Sequence, residues 1–128
     1  MGQPVLAVIT STSNTQVKRL LTLRKRRERD TTGRFLVEGR REVARALAAD
    51  VVVDTVVACP GIGDQEELEA LVEEAIAAGA RRLDVAAPVF DRLSHREGPD
   101  GVLVEARAFP TDLEHVALGP NPLVLVVA

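Results

Sequence analysis

Residues 51–58 read Val-Val-Val-Asp-Thr-Val-Val-Ala, a run that is rich in β-branched side chains and apolar at almost every position. β-Branched residues favour strands, and a strand that is apolar on both sides is typical of a sheet covered on both faces. The run therefore predicts a central strand with helices packed above and below it.

Amphipathic helices are predicted on both sides of this strand in the sequence. An apolar stripe beginning at Val43 predicts a helix that ends near Asp50, and a longer stripe over residues 68–76 predicts a second helix. The second helix has capping residues from Asp64 onward and a suitable stop at Gly79. Each helix has one apolar side, which a face of the predicted sheet can cover.

The remaining elements continue the alternation of helix and strand. Further strands are predicted at residues 35–37, 83–86 and 102–108, and further helices start near Asn14 and at Pro88. This order predicts an α/β fold with a small, mostly parallel sheet and helices on both faces.

The last twenty residues differ in composition from the rest. Residues 109–122 contain three prolines and a glycine and are predicted to be a linker, and residues 123–128 read Leu-Val-Leu-Val-Val-Ala. Chain ends are usually frayed and polar, so an apolar strand is unexpected there. We expect residues 1–108 to form one domain and residues 123–128 to be the first strand of a second α/β domain; the alternative is an added strand in the first sheet.

Positive charge is concentrated in the first part of an acidic chain. Residues 24–29 read Arg-Lys-Arg-Arg-Glu-Arg; residues 1–49 hold 11 Lys and Arg against 4 Asp and Glu, and residues 50–128 hold 5 against 15. The apolar stripe of the first helix runs out at Arg24, so the cations are expected on its exposed end or on the turn after it, ahead of a loop at residues 30–33. Such a field predicts a polyanionic partner, although a charge run can also be only a solvated helix face.

Composition excludes several classes of function. With three Phe and no Trp or Tyr, the chain lacks the aromatic platforms on which many RNA-binding domains stack bases. The single Cys59 excludes an internal disulfide and a cysteine-based zinc site, which predicts a cytoplasmic setting. His95 and His115 have no metal-ligand spacing and are predicted to be surface residues without a role, so no metal site is expected. The longest apolar run is six residues, too short to span a membrane.

The order of several short motifs resembles a known family, the N-terminal substrate-binding domain of SpoU-type (TrmH-like) RNA 2′-O-ribose methyltransferases. The similarity covers nearly the whole chain after residue 8. The matching positions are Asn14, Lys18, Leu23, Arg27, Phe35, the triplet Val37-Glu38-Gly39, the segment 88–102 and the proline-containing linker to Leu-Val-Leu-Val.

This resemblance implies a three-layer α/β/α sandwich like that of the kink-turn-binding proteins of the large ribosomal subunit. It implies a partner that is structured RNA, either rRNA or tRNA. Catalysis, S-adenosylmethionine binding and homodimerisation are implied for a second domain after Ala128, so no catalytic or cofactor-binding residue is expected in this chain. The competing hypotheses are a stand-alone RNA-binding module of ribosomal-protein type and a domain that binds an acidic protein.

The resemblance and the charge pattern together give a set of candidate RNA-binding residues. The resemblance implies phosphate contacts for Lys18 and Arg27. Asn14 has a helix-capping role as an equally good interpretation, and Gly39 is expected to serve the backbone turn. The full set is Asn14, Lys18, Arg24, Lys25, Arg26, Arg27, Arg34, Glu38, Gly39, Arg41 and Arg45.

Two acidic positions need an explanation of their own. Glu38 repels phosphate, so it is expected to pair with Arg41 or Arg27, or to accept a hydrogen bond from a ribose 2′-hydroxyl. Asp100 stands where the family usually has Gln, which makes an RNA contact by that loop questionable.

Overall fold

The structure is a computed structural model that describes residues 8–127. Its helices and strands, in chain order, are α1 (Thr15–Thr22), α2 (Arg26–Thr32), β1 (Arg34–Glu38), α3 (Arg40–Ala48), β2 (Val53–Ala58), α4 (Gln65–Ala77), β3 (Arg81–Asp84), α5 (Ala87–Leu93) and β4 (Val102–Arg107). The predicted alternation of helix and strand is confirmed. Helix α2 is an additional element, because its last residues were predicted to be a loop. Gly33 caps its C-terminal end in the left-handed conformation, with a φ of 66°.

The four strands form one sheet in the order β1-β4-β2-β3. Strands β2 and β3 are parallel, but β4 is antiparallel to both of its neighbours. The prediction of a mostly parallel sheet is therefore wrong, because two of the three strand pairs are antiparallel. The physical reason is that β4 starts at the edge where β1 and β2 end, with Leu103 opposite Glu38 and Val102 opposite Ala58. The seven residues of α5 and the loop after it do not carry the chain back across the sheet.

Two hydrophobic clusters, one on each face of the sheet, make the molecule a three-layer sandwich, as the resemblance implied. One cluster joins α3 and α4 to the sheet, and its fully buried members include Val43, Val56, Leu68, Val72 and Val104. The other joins α1 and α5 to the sheet, and its fully buried members include Val17, Leu20, Val57, Val89 and Phe90. The two clusters fix the positions of α1, α3 and α5, which carry or adjoin the candidate residues.

The segment after β4 lies outside the sheet. It contains one turn of 3-10 helix at Leu113–His115, and residues 123–127 are exposed and form no strand. The division into residues 1–108, 109–122 and 123–128 stays a prediction, and residue 128 lies outside the described residues. Within residues 8–127, no helix is both long and apolar enough to cross a lipid bilayer.

Candidate nucleic-acid interface

The first candidate residue, Asn14, caps helix α1. Its side-chain Oδ1 accepts hydrogen bonds from the backbone N–H groups of Gln16 (2.9 Å) and Val17 (3.3 Å). A side-chain oxygen that satisfies two free donors at a helix start has a structural task. The capping interpretation of Asn14 is confirmed, and an RNA contact by this residue stays a prediction.

The chain turns sharply between α1 and α2, and three cations follow one another there. We call Lys25, Arg26 and Arg27 the basic segment. All three are exposed, as is Lys18 on α1. Arg26 lies 3.8 Å from Asp30, but both side chains are more than 70% exposed, so this ion pair contributes little. Lys18, Lys25 and Arg27 form no ion pair with any residue from 8 to 127, and their charge is available to a ligand.

Arg24 and Arg29 lie on either side of the basic segment in the sequence. Unlike the cations of that segment, they hold the turn in place. Arg29 donates from Nη1 to the carbonyl oxygens of Leu23 (3.0 Å) and Arg24 (2.8 Å). Arg24 donates from Nη2 to the carbonyl oxygen of Ser94 (3.0 Å) and from Nε to the His95 ring (3.3 Å). Arg24 is therefore partly used within the protein, and Arg29 fixes the geometry of the turn.

Arg34, a predicted RNA-binding residue, is paired with a carboxylate on the sheet. Its Nε lies 2.7 Å from Asp54, which is also 2.9 Å from the Arg107 guanidinium. Arg107 first, and Arg34 with it, hold the pKa of Asp54 below its usual value. Arg34 is thus neutralised in part, unlike the basic segment.

Helix α3 presents a second group of free cations, which consists of two arginines. Arg41 and Arg45 are exposed, stand one turn apart, and form no ion pair with any other residue in the 8–127 range. Arg40, directly before them, points inward: its guanidinium donates to the carbonyl oxygens of Ile62 (2.6 Å), Asp64 (2.8 Å) and Asp100 (3.0 Å). Arg40 ties two loops to the start of α3 and leaves Arg41 and Arg45 to the solvent.

Glu38 and Gly39 end β1 and lead into α3. Glu38 accepts hydrogen bonds from the Ser94 hydroxyl and from the His95 backbone N–H, the latter at 2.8 Å. The expected ion pair of Glu38 with Arg41 or Arg27 is not formed, because the carboxylate is directed at Ser94 and His95 in the loop after α5. Gly39 has a φ of 106°, and a Cβ there would lie 2.5 Å from Arg96 Nη1, so the backbone role of Gly39 is confirmed.

The loop from residue 94 to 101 joins α5 to β4 and lies beside both groups of free cations. Arg96 in this loop pairs with Glu42 on α3 (3.0 Å) and with Asp100 (3.3 Å). Asp100 Oδ2 also accepts from the Arg40 backbone N–H at 3.3 Å. The acidic residue that departs from the family pattern is therefore neutralised within the protein.

Sequence reasoning missed the contribution of Ser94, His95 and Arg96, and it treated His95 as a residue without a role. These residues connect β1, α3 and the α1–α2 turn, which lie 50 or more positions away in the sequence. Only a short polar run between two apolar elements marks them, and such a run is also typical of a plain loop. Their role follows from contacts that the fold creates.

Helix α4 carries the opposite charge. Its exposed side includes Glu66, Glu67, Glu73 and Glu74, and its other side is buried in the core. A phosphate backbone is repelled there, which limits where RNA can lie. Within the 8–127 range, no group of acidic, histidine or cysteine side chains is placed to hold a metal ion.

Known proteins provide an independent comparison. The family model described as MRM3-like substrate binding domain matches residues 14–104. A solved RNA 2′-O ribose methyltransferase is 35% identical, with a TM-score of 0.72, over 91% of this chain and 43% of that chain. A search of curated proteins finds no match.

Two further solved structures share the fold at lower identity. An rRNA methyltransferase from Sinorhizobium meliloti is 24% identical with a TM-score of 0.72, over 86% of this chain and 40% of its own. The SpoU methyltransferase AviRb from Streptomyces viridochromogenes is 18% identical with a TM-score of 0.66, over 83% of this chain and 38% of its own. The chain thus spans about two-fifths of the length of these structures.

The resemblance predicted from the sequence is confirmed, and it favours a substrate-binding domain over a stand-alone module of ribosomal-protein type. The family match runs from the residue that caps α1 to the middle of β4, and so includes the basic segment, α3 and the α5–β4 loop. The chain belongs to the family of MRM3-like substrate-binding domains.

Proposed function

We propose that this chain is the RNA-binding, substrate-recognition domain of an S-adenosylmethionine-dependent RNA 2′-O-ribose methyltransferase. The observation that carries the proposal is the exposure of Lys18, Lys25, Arg26 and Arg27 on a family member of this kind. Exposed cations attract a phosphate backbone and release its counterions, which is the main source of sequence-independent affinity.

The surface favours recognition of folded RNA through its backbone. The guanidinium group of an arginine can bind two phosphate oxygens at once. Four exposed arginines offer such a group without a change in the core: Arg26, Arg27, Arg41 and Arg45. The absence of Trp and Tyr leaves little capacity for base stacking. The acidic side of α4 repels RNA, so we propose that the ligand lies at the β1 edge of the sheet, where β1 contacts both α2 and α3.

Methyl transfer and cofactor binding belong, in this proposal, to a second domain. The Sinorhizobium meliloti enzyme was solved with AdoMet bound, as was AviRb. Residues 123–128 would open that domain after a linker at residues 109–122, and homodimerisation would take place through it. We further propose a ribosomal or transfer RNA as the substrate and the cytoplasm as the site of action.

The test is a salt series of RNA binding with the 128-residue chain, using a folded rRNA fragment and a folded tRNA as probes. If about four phosphates are neutralised, log K should fall with log salt at a slope of about −3 to −4. Replacing Lys18, Lys25, Arg26 and Arg27 by Ser should weaken binding and make the slope clearly shallower, with a residual slope from Arg41 and Arg45, while the domain stays folded.

The matched control is Arg81→Ser, which removes an exposed cation from β3, the edge strand opposite β1. This variant should leave both the affinity and the slope unchanged. A flat salt dependence of the wild-type chain, or no binding to either RNA, would contradict the proposal. Binding of an acidic protein that RNA does not displace would favour the protein-interaction hypothesis instead.

A further inference from the structure

We infer that Glu38 is a positioning residue for RNA binding: it holds Ser94 and His95, and these hold Arg24 and the turn that carries the basic segment. The inference rests on the proposed function, because it assigns the role of an acidic residue within an RNA-binding surface. It replaces both roles expected for Glu38, an ion pair with Arg41 or Arg27 and a direct contact with a ribose.

The first step is the bond between β1 and the α5–β4 loop. Glu38 is the last residue of β1, a strand held in place by its pairing with β4. Its two carboxylate oxygens accept from different donors in the loop, the Ser94 hydroxyl and the His95 N–H. Hydrogen bonds to an ionised acceptor are about twice as strong as neutral ones, so the carboxylate anchors this part of the loop to the sheet.

The second step is the bond from the loop to the basic segment. The Ser94 carbonyl oxygen and the His95 ring both accept from the Arg24 guanidinium, at 3.0 Å and 3.3 Å. The Arg24 carbonyl oxygen in turn accepts from Arg29 at 2.8 Å. Arg24 directly precedes the basic segment, so its position sets where that segment begins.

The basic segment depends in part on this connection, because the other contacts that hold α2 lie before and after it, at the buried Leu23 and at Gly33, whose carbonyl oxygen accepts from the Ala108 N–H at 2.8 Å. Helix α2 buries none of its residues, whereas α1 buries Val17 and Leu20. Without the Glu38 contacts, Ser94, His95 and Arg24 lose their common anchor, and the free cations sample more positions. Binding then requires ordering them, which costs conformational entropy and weakens affinity.

A charge-matched pair of variants separates position from charge. Glu38→Ala and Glu38→Gln remove the same negative charge, but Gln keeps the shape, one acceptor for the His95 N–H and a donor for Ser94. If Glu38 acts only as a charge near phosphate, both variants bind RNA more tightly than wild type and equally well. We expect E38A to bind about five- to tenfold more weakly than E38Q at every salt concentration, with parallel salt slopes.

Glu97 provides the control, because it is an exposed glutamate in the same loop. Its Ala and Gln variants should bind RNA equally, since no hydrogen bond within residues 8–127 is lost. Ser94→Ala, which removes the hydroxyl that donates to Glu38 and accepts from the Arg96 N–H but keeps the bond from the His95 N–H to Glu38, should weaken binding less than E38A and in the same direction. It keeps the inference testable if E38A does not fold.

Hydrogen exchange of the His95 amide gives a reading without RNA. The exchange should be faster in E38A than in wild type and unchanged in Glu97→Ala. Equal affinities of E38A and E38Q, or unchanged His95 exchange in E38A, would overturn the inference. Failure of the wild-type chain to bind RNA would instead overturn the proposed function, and the exchange measurement would still decide whether Glu38 fixes the loop.

Discussion

Helices α2 and α4 both carry dense charge, but they relate to the core in opposite ways. α4 buries Leu68, Leu71, Val72 and Ala75, and its glutamates occupy the side that remains. α2 buries none of its seven residues and is fixed by contacts near its ends, through Arg29 and Gly33. The comparison separates two kinds of charge run. The run on α4 is the solvated side of a helix that the core requires, whereas the run on α2 lies on a helix that the core does not require.

The difference separates the two interpretations of a charge run that the sequence left open. A charged side on a core helix is the expected partner of an apolar side. A charged helix with no apolar side gains nothing from packing, so its cations stay in place for another reason. For the basic segment, the reason that we propose is binding of a polyanion.

The largest effect that tests this comparison is on stability. Leu68→Ala in α4 should lower the free energy of unfolding by about 2–5 kcal/mol, because it leaves a cavity in a fully buried site. Arg27→Ala in α2 should change it by less than about 0.5 kcal/mol, the usual range for exposed positions. Urea unfolding followed by circular dichroism measures both. A loss in R27A as large as in L68A would show that α2 belongs to the core.

An intermediate effect is expected where α2 is attached. Arg29→Ala removes the donor to the carbonyl oxygens of Leu23 and Arg24, and it should destabilise the domain by about 1–2 kcal/mol. It should also weaken RNA binding, since the turn before the basic segment loses its shape. Arg27→Ala is the matched variant, for which we expect lower RNA affinity and unchanged stability. If both variants behave alike, Arg29 has no special structural task.

The smallest effect concerns the acidic side of α4. Replacing Glu73 and Glu74 by Gln removes two exposed charges and should tighten RNA binding by less than about threefold at low salt. The gain should vanish as salt rises, because exposed charges beyond about 8–10 Å are screened at physiological ionic strength. Titrations at two salt concentrations test this. Weaker binding of the double variant would place RNA against α4 and contradict the proposed orientation.

Local sequence patterns predicted every element except α2, but they did not predict the partners of the strands. The run at residues 51–58 and the stripe at residues 68–76 report local burial, and both form the predicted elements. The direction of β4 depends on how far α5 and its loop travel, which no local pattern encodes. α2 was missed because a short helix without an apolar stripe has no periodic signal.

The candidate site was predictable in the same uneven way. Lys18 is exposed because it lies beside the apolar stripe of α1, and the exposure of the basic segment follows from the end of that stripe. The pairing of Arg34 with Asp54 and of Glu38 with Ser94 depends on contacts made across the sheet. Charge density in the sequence therefore indicated the candidate surface, and only the fold distinguished free cations from neutralised ones.

The insertion of β4 between β1 and β2 has a consequence for synthesis of the protein. Among the described residues, 8–127, β1 pairs with β4 alone, so a nascent chain that ends before residue 102 lacks the strand that β1 pairs with. A nascent chain that ends before Ser94 also lacks the Ser94 carbonyl oxygen to which Arg24 donates. Long-range pairing of this kind forms late, because the closing contacts are far apart along the chain. We therefore expect the surface that we propose for RNA binding to become organised only after β4 has left the ribosome.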